Sequence, residues 1–326
     1  MASVKNSNIE WTGITVNFWK GCKRKSPECD NCYMYRWYNQ FGQGDPAAVT
    51  RTGSAVWNKA KKAQKEVSAG KRTGNGRLVF TCSLSDFFNP EADKWRDDAW
   101  QVIRETPGLV WQILTKLPNR IKPHVPPFWD EIKDRVWLGT SCGHPESLFR
   151  LDYLMDATLK LSPAVTFVSA EPLIAPVIIH DDHLQEIDWL IVGGESGYKL
   201  TRPVAPMHPS WALNLMRTAK SQGVKVFFKQ WGDFARAQSW GSQNDNVAIA
   251  KFNGRPYKGD KVVLIDRYGN REYNPSPSAL KHKRADQCVM VQAGKKIAGR
   301  KMPDSYVWAG ETWDDIPPLP DYEPSP

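Results

Sequence analysis

Hydrophobic residues along this chain fall in short unbroken runs rather than in strict alternation. Segments 14–19, 78–83 (LVFTCS), 109–116 (LVWQILTK), 135–141 (RVWLGTS), 165–172 (VTFVSAEP), 188–196 (DWLIVGGES) and 224–232 (VKVFFKQWG) each read as a strand. Continuous apolar runs suit parallel strands covered on both faces. Between them lie segments of helical character: 33–41, 91–105, 146–160 with Leu148, Leu151, Tyr153, Leu154 and Leu159, and 209–222, ended by Gly223. The alternation predicts an α/β fold over residues 1–232, a complete or partial β/α barrel of parallel strands.

After Gly232 the pattern changes. Residues 233–260 are polar and irregular, 262–274 read as a hairpin around Tyr268-Gly269-Asn270, and the Pro-rich end WDDIPPLPDYEPSP reads as extended. Residues 233–326 are therefore expected to form a C-terminal extension, not a second enzyme domain.

Each predicted strand ends in polar residues: Ser83 with Asp86, Thr115 with Lys116, Ser141, Ser169 with Glu171, Glu195 with Ser196, and Lys229 with Gln230. In parallel barrels the carboxyl ends of the strands build the active site. The first strand leads into GCKRKSPECDNCY, where Cys22, Cys29 and Cys32 stand at C-x6-C-x2-C spacing. Soft thiolates suit zinc or an iron–sulfur cluster. A closed structural zinc site wants four ligands, whereas three cysteines on a four-iron cluster leave one iron open. Cys82, Cys142 and Cys288 stand alone and read as packed thiols.

Composition adds a bias. The 326 residues carry a formal charge of +9 and fifteen tryptophans, which favours an anionic partner and places some of the indoles along a cleft. Basic residues crowd two segments, Arg51 to Arg77 and Lys281 to Lys301. The first reads either as a solvated helix or as a phosphate-contacting arm with Trp57 free to stack on a base. The N-terminal residues lack the apolar core of a signal peptide, and no run approaches a membrane span. The expectation is a cytoplasmic protein with reduced thiols and no membrane partner.

Other motifs fail. Gly294-Lys295-Lys296 lacks the glycine spacing and hydroxyl of a P-loop, and Tyr198 stands where a nucleophile elbow after Gly194 needs glycine. His144-Pro145-Glu146 has the H-x-E form of zinc deaminases, but its order relative to Cys29 and Cys32 is reversed and Cys22 is left over.

Several stretches together carry a resemblance: IEWTG, GCKRKSPECDNCY, SLSDFF, LTKLPNR, VSAEPL, IVGGESG with Arg202 and Pro203, FFKQWG and GKKIAGR. Over nearly its whole length the chain resembles a phage- and bacteria-associated family of radical S-adenosylmethionine-like proteins with a three-cysteine motif. It departs from the common C-x3-C-x2-C spacing of radical enzymes. Within the family an acidic or amide residue commonly follows the serine of the fourth strand, where this chain has Cys142.

The resemblance implies that Cys22, Cys29 and Cys32 hold a [4Fe–4S] cluster whose open iron binds S-adenosylmethionine. It further implies that a 5′-deoxyadenosyl radical abstracts hydrogen from a substrate. Ser83, Asp86, Ser141, Glu171 and Glu195 are then the candidate cofactor-binding residues, and Lys116, Lys229 and Gln230 the candidate substrate residues. The implied partners are a nucleic acid (DNA) or nucleotide substrate, with rearrangement of a thymine-derived base as one form, and an electron-donor protein. Two alternatives stand: a radical enzyme acting on a protein or small metabolite, and a non-catalytic zinc-bearing nucleic-acid-binding protein.

Overall fold

The structure, a computed structural model, describes residues 3–197, 200–237, 239–243, 247–252, 255–257, 261–293, 295–298, 300 and 313–322. Seven strands form one wholly parallel sheet in chain order: β1 Ile14–Val16, β2 Leu78–Thr81, β3 Val110–Thr115, β4 Val136–Ser141, β5 Val165–Ala170, β6 Trp189–Gly193 and β7 Lys225–Gln230. The sheet curls into a half-barrel and stops at two edges, so the partial barrel is the form adopted. All seven runs read from the sequence contain a strand, each shorter than its run, and β4 keeps its polar end at Ser141.

The helix α1 Tyr33–Phe41 follows the cysteine loop, and α2 Ser54–Ser68, α3 Asp93–Arg104, α4 Phe149–Leu161, α5 Asp181–Leu184 and α6 Pro209–Ser221 cover the outer face of the sheet. Their apolar stripes, such as Ala60, Ala63 and Val67 on α2 and Ala212, Leu215, Met216 and Ala219 on α6, join one core with the outward strand residues. Among the described residues no helix is long and apolar enough to cross a membrane.

The inner face has its own core, built largely of aromatic rings. Phe80, Trp137, Phe167, Trp189 and Phe227 point inward from five strands, with Trp11 from the N-terminal segment. Trp11 stands 4.7 Å from Phe80, and Trp137 stands 5.6 Å from Trp189. Strand side chains alternate faces with a period of two. The inward position two or four residues beyond each ring is therefore fixed: Ser141 after Trp137, Ser169 and Glu171 after Phe167, and Lys229 after Phe227. A layer of rings thus carries a layer of polar groups.

Sheet closure comes from elsewhere in the chain. The extended segment 313–322 runs along the β7 edge, where Phe228 N donates to the Trp313 carbonyl at 2.7 Å and Phe227 bridges Asp314. Ile316 and Leu319 then pack on the inner aromatic core. Trp189 Nε1 donates to the Asp315 carbonyl at 2.8 Å, and Arg77 Nη1 reaches the Pro320 carbonyl at 2.9 Å. The segment joins the two sides of the open half-barrel. The rest of the extension includes an antiparallel sheet, Phe234–Arg236, Gln287–Gln292, Val262–Asp266 and Arg271–Tyr273 in spatial order, and the last two strands are the expected hairpin.

One expectation about the basic segment 51–77, a free Trp57, is overturned. Trp57 is only 8% exposed and packs 4.7 Å from Phe18, with the Arg51 guanidinium over its other side, so it is a core residue and not a free stacking platform. Of the cations beside it, Lys59 bonds the Thr15 carbonyl at 2.9 Å and the buried Arg72 pairs with Glu66 at 2.9 Å, while Arg51–Asp98 at 2.9 Å and Lys61–Glu105 at 2.7 Å are exposed surface pairs. In the second basic segment Arg284 pairs with Asp266 and Asp286, and Arg300 caps the Phe228 carbonyl; Lys301 lies outside the described residues.

Replacing Trp189 by alanine removes a fully buried ring that touches Trp11, Trp137, Phe167 and Phe227. The expected cost is about 3–5 kcal/mol, read as a lower urea midpoint at unchanged slope.

Candidate functional site

The carboxyl ends of the strands and the loop 21–32 enclose a cavity of about 440 Å³, within the usual range for small-molecule sites. Cys22, Cys29 and Cys32 all line it. So do Ser83, Asp86, Ser141, Glu171, Glu195, Lys116 and Lys229. Its floor is apolar, with Trp11, Phe80 and Leu114. Trp11 is the one tryptophan in this wall among the described residues; the others named above are core.

Three short devices set the path of the cysteine loop. Gly21 adopts a φ of +97°, and a Cβ there would meet the Ala48 carbonyl at 2.2 Å, so glycine is required. Residues Pro27–Cys29 form a single 3₁₀ turn, and Cys32 caps α1 at its N-terminus. Tyr35 OH donates to the Cys22 carbonyl at 3.0 Å and Ser85 Oγ to the Gly21 carbonyl at 2.6 Å.

The loop is then fastened from below and behind. Glu195, only 3% exposed, accepts from Asn31 Nδ2 at 3.1 Å, from both terminal nitrogens of Arg202 at 2.8 and 2.9 Å, and from Ala205 N at 2.7 Å. Arg202 also reaches Asp30 at 3.3 Å, and Thr201 Oγ1 donates to the Asp30 carbonyl at 3.0 Å. On the other side Glu28 is buried, accepting from Ser147 Oγ at 2.5 Å and Gly143 N at 3.2 Å, with Arg150 at 3.5 Å. Two internal carboxylates therefore pin the residues between Cys22 and Cys32.

Electrostatics in the cavity follow from burial. Burial, then the charge of Asp86 and the neighbouring thiols, pushes the Cys22 thiol up to about 12. Burial also raises Cys32, opposed by the Met34 backbone N–H and by Lys116. Burial disfavours the Lys116 charge, but the summed field of Cys29, Glu28 and Cys32 outweighs it and holds this lysine above its ordinary range. Its ammonium donates to Ser141 Oγ at 3.1 Å. Lys229 pairs with Glu171 at 2.5 Å across Gly193, where a Cβ would approach the Glu171 side chain to 3.3 Å. Among the described residues no three His, Cys, Asp or Glu side chains stand close enough together to hold a single metal ion.

With this geometry in view, comparison with known proteins gives one positive result. Residues 6–317 match the model of the family described as "Protein of unknown function (DUF5131)". The chain belongs to that family. No curated protein matches it closely enough to count as a relative.

The members of the predicted site are not equivalent in this family member. Ser141, Glu171, Lys116 and Lys229 sit in the inward polar layer or beside it, where a ligand would meet them. Ser83 lines the cavity, donates to Asn17 Oδ1 at 3.2 Å and receives Tyr33 OH on its carbonyl at 2.5 Å. Asp86 reaches the wall but its oxygens are engaged by Phe88 N at 2.9 Å, Thr115 Oγ1 at 2.7 Å and Lys116 N at 2.7 Å, so it shapes the β3 end. Glu195 is likewise a fastener. Gln230 is not brought to the cavity. It is the outward neighbour of Lys229, and its amide donates to the Gly194 carbonyl at 3.0 Å and accepts from Gly232 N.

Sequence reasoning left Tyr33, Tyr35, Asn31, Lys23 and Lys25 without a role, although all line the cavity; Ser169, read as a strand-end residue, and Lys295, read as part of a basic segment, line it too. The Asn31–Glu195 contact spans 164 positions and has no local signal.

Substituting Arg202 by methionine leaves the buried Glu195 carboxylate short of two donors. The expected stability cost is about 1.5–3 kcal/mol, as for hydrogen bonds to a charged group. Maleimide labelling of Cys29 should also accelerate about tenfold, the factor that roughly 1.4 kcal/mol of easier local opening gives. An unchanged labelling rate would show that the loop is held by other contacts.

Proposed function

We propose that this protein is a radical S-adenosylmethionine enzyme that holds a [4Fe–4S] cluster on Cys22, Cys29 and Cys32 and modifies a nucleobase. The observation that carries the reading is that three thiols of one loop face a single cavity together with an inward ring of serine, lysine and glutamate side chains. The donor set is three soft sulfurs facing open space, which fits a cluster with one exchangeable corner better than a closed four-ligand ion. When bound, such a cluster supplies the electron that cleaves S-adenosylmethionine to a 5′-deoxyadenosyl radical.

The chain's own residues then have separable tasks. Glu195 and Glu28 fix the loop that carries the three sulfurs. Lys116 places a positive charge beside Cys29 and Cys32, offsetting the anionic charge that metal-bound thiolates bring. Ser141, Ser169 and Glu171 offer hydroxyl and carboxylate partners for a ribose or an amino-acid group. The ring layer of Trp11 and Phe80 excludes water from the floor and suits a flat base. A cytoplasmic setting and an electron-donor protein belong to the same proposal.

Anaerobic reconstitution with iron and sulfide should yield a brown protein absorbing at about 400 nm that forms 5′-deoxyadenosine from S-adenosylmethionine under a strong reductant. Cys29→Ala should lose the iron. A colourless protein that binds about one zinc and leaves S-adenosylmethionine intact would overturn the proposal in favour of a zinc-bearing binding protein.

A further inference from the structure

The cavity carries a charge asymmetry along its depth. Six basic side chains line it, Lys23, Lys25, Arg36, Lys116, Lys229 and Lys295, against the carboxylates Glu28, Asp86, Glu171 and Glu195. Arg150 stands behind Glu28 and Arg202 behind Glu195, so two of those four negative charges are already countered from outside the cavity. Glu171 is held by Lys229. The surplus is positive. It lies partly at the outer end, where Lys23 and Lys25 are exposed on the cysteine loop and Lys295 is half-buried.

The outer lysines are held only loosely. Lys23 meets Glu91 at 2.7 Å, but both side chains are well exposed, 60% and 44%. Lys295 meets Glu10 at 3.3 Å, a longer contact between partly exposed side chains. Exposed pairs of this kind contribute little and yield readily to a better anion. Lys25 has no hydrogen-bond or ion-pair partner among the described residues. Within 51–77, Lys59 on the Thr15 carbonyl and Arg72 on Glu66 are more firmly built in.

We infer that Lys23, Lys25 and Lys295 form a phosphate subsite at the cavity mouth, which holds the phosphate of a nucleotide whose base lies inward over Trp11 and Phe80. The inference rests on the nucleobase reading above and extends it from the base to the group that anchors it. A phosphate is the anion that a cluster of flexible ammonium groups serves well, since it accepts from several donors at once. The same chemistry could come from a free nucleotide or from one nucleotide unit of a DNA strand.

The test measures equilibrium binding to the cluster-loaded protein without reductant. The probes are thymidine, thymidine 5′-monophosphate and a short single-stranded oligothymidylate. At low salt the monophosphate should bind about tenfold more tightly than thymidine, as expected for hydrogen bonds to a charged group. In the double variant Lys25→Glu, Lys295→Glu that preference should vanish, while Lys65→Glu on the outside of α2 retains it. Equal binding of thymidine and its monophosphate by the wild type overturns the subsite, as does a preference that survives in the double variant.

Salt dependence separates the two sources. A slope for the oligothymidylate equal to that of the monophosphate assigns a free nucleotide, and a steeper one assigns a strand with added phosphate contacts. Both support the subsite. Because no turnover is needed, loss of phosphate preference and loss of 5′-deoxyadenosine formation report separately on the subsite and on the radical chemistry.

Discussion

The arrangement at the strand ends depends on one buried carboxylate. Glu195 leaves the end of β6 and gathers donors from Asn31, Arg202 and the Ala205 backbone, drawing the cysteine loop onto the parallel sheet. The loop has little regular structure of its own, and ordering each of its residues costs roughly 1–2 kcal/mol of backbone entropy. Charge-assisted hydrogen bonds to an internal acid offset part of that cost and choose one conformation among many. The close packing under Glu195 belongs to the same device: a Cβ on Gly194 would meet the Trp231 carbonyl at 2.1 Å, so only glycine lets the two loops touch.

Strand parity organises what stands above that anchor. Large rings occupy the inner positions at mid-barrel, and Ser141, Ser169, Glu171 and Lys229 stand inward two or four residues beyond three of them. This layering separates a dry floor from a wet rim within a few ångströms. It also explains why Lys116 keeps its charge although burial opposes it: the acids and thiols that face it lie in the same thin layer.

Much of this was legible in the chain. Seven apolar runs gave seven strands because parallel strands covered on both faces must be apolar throughout, a signal that needs no long-range information. The strand-end lysines and serines were legible for the same reason. Parity was the part left unread. It separates Lys229, which faces in, from Gln230, which braces the neighbouring loop. Asp86 and Glu195 show the limit of reading polarity as chemistry, since an acid at a strand end can be wholly occupied with backbone and arginine donors. Trp57 and its neighbouring cations show the same limit for a basic segment. Their acidic partners, Asp98 on α3 and Glu105 at its C-terminal cap, are remote in sequence, and nothing local announces that the two helices pack together.

The segment 313–322 has a consequence for how the molecule comes to be. During synthesis the strands emerge well before it, so the nascent half-barrel presents the Trp189 and Phe227 faces with part of their cover missing. Until Trp313 to Asp315 arrive, the β7 edge also offers open backbone groups to any passing strand. The late-made segment thus closes both the aromatic interior and an open strand edge in one step of folding.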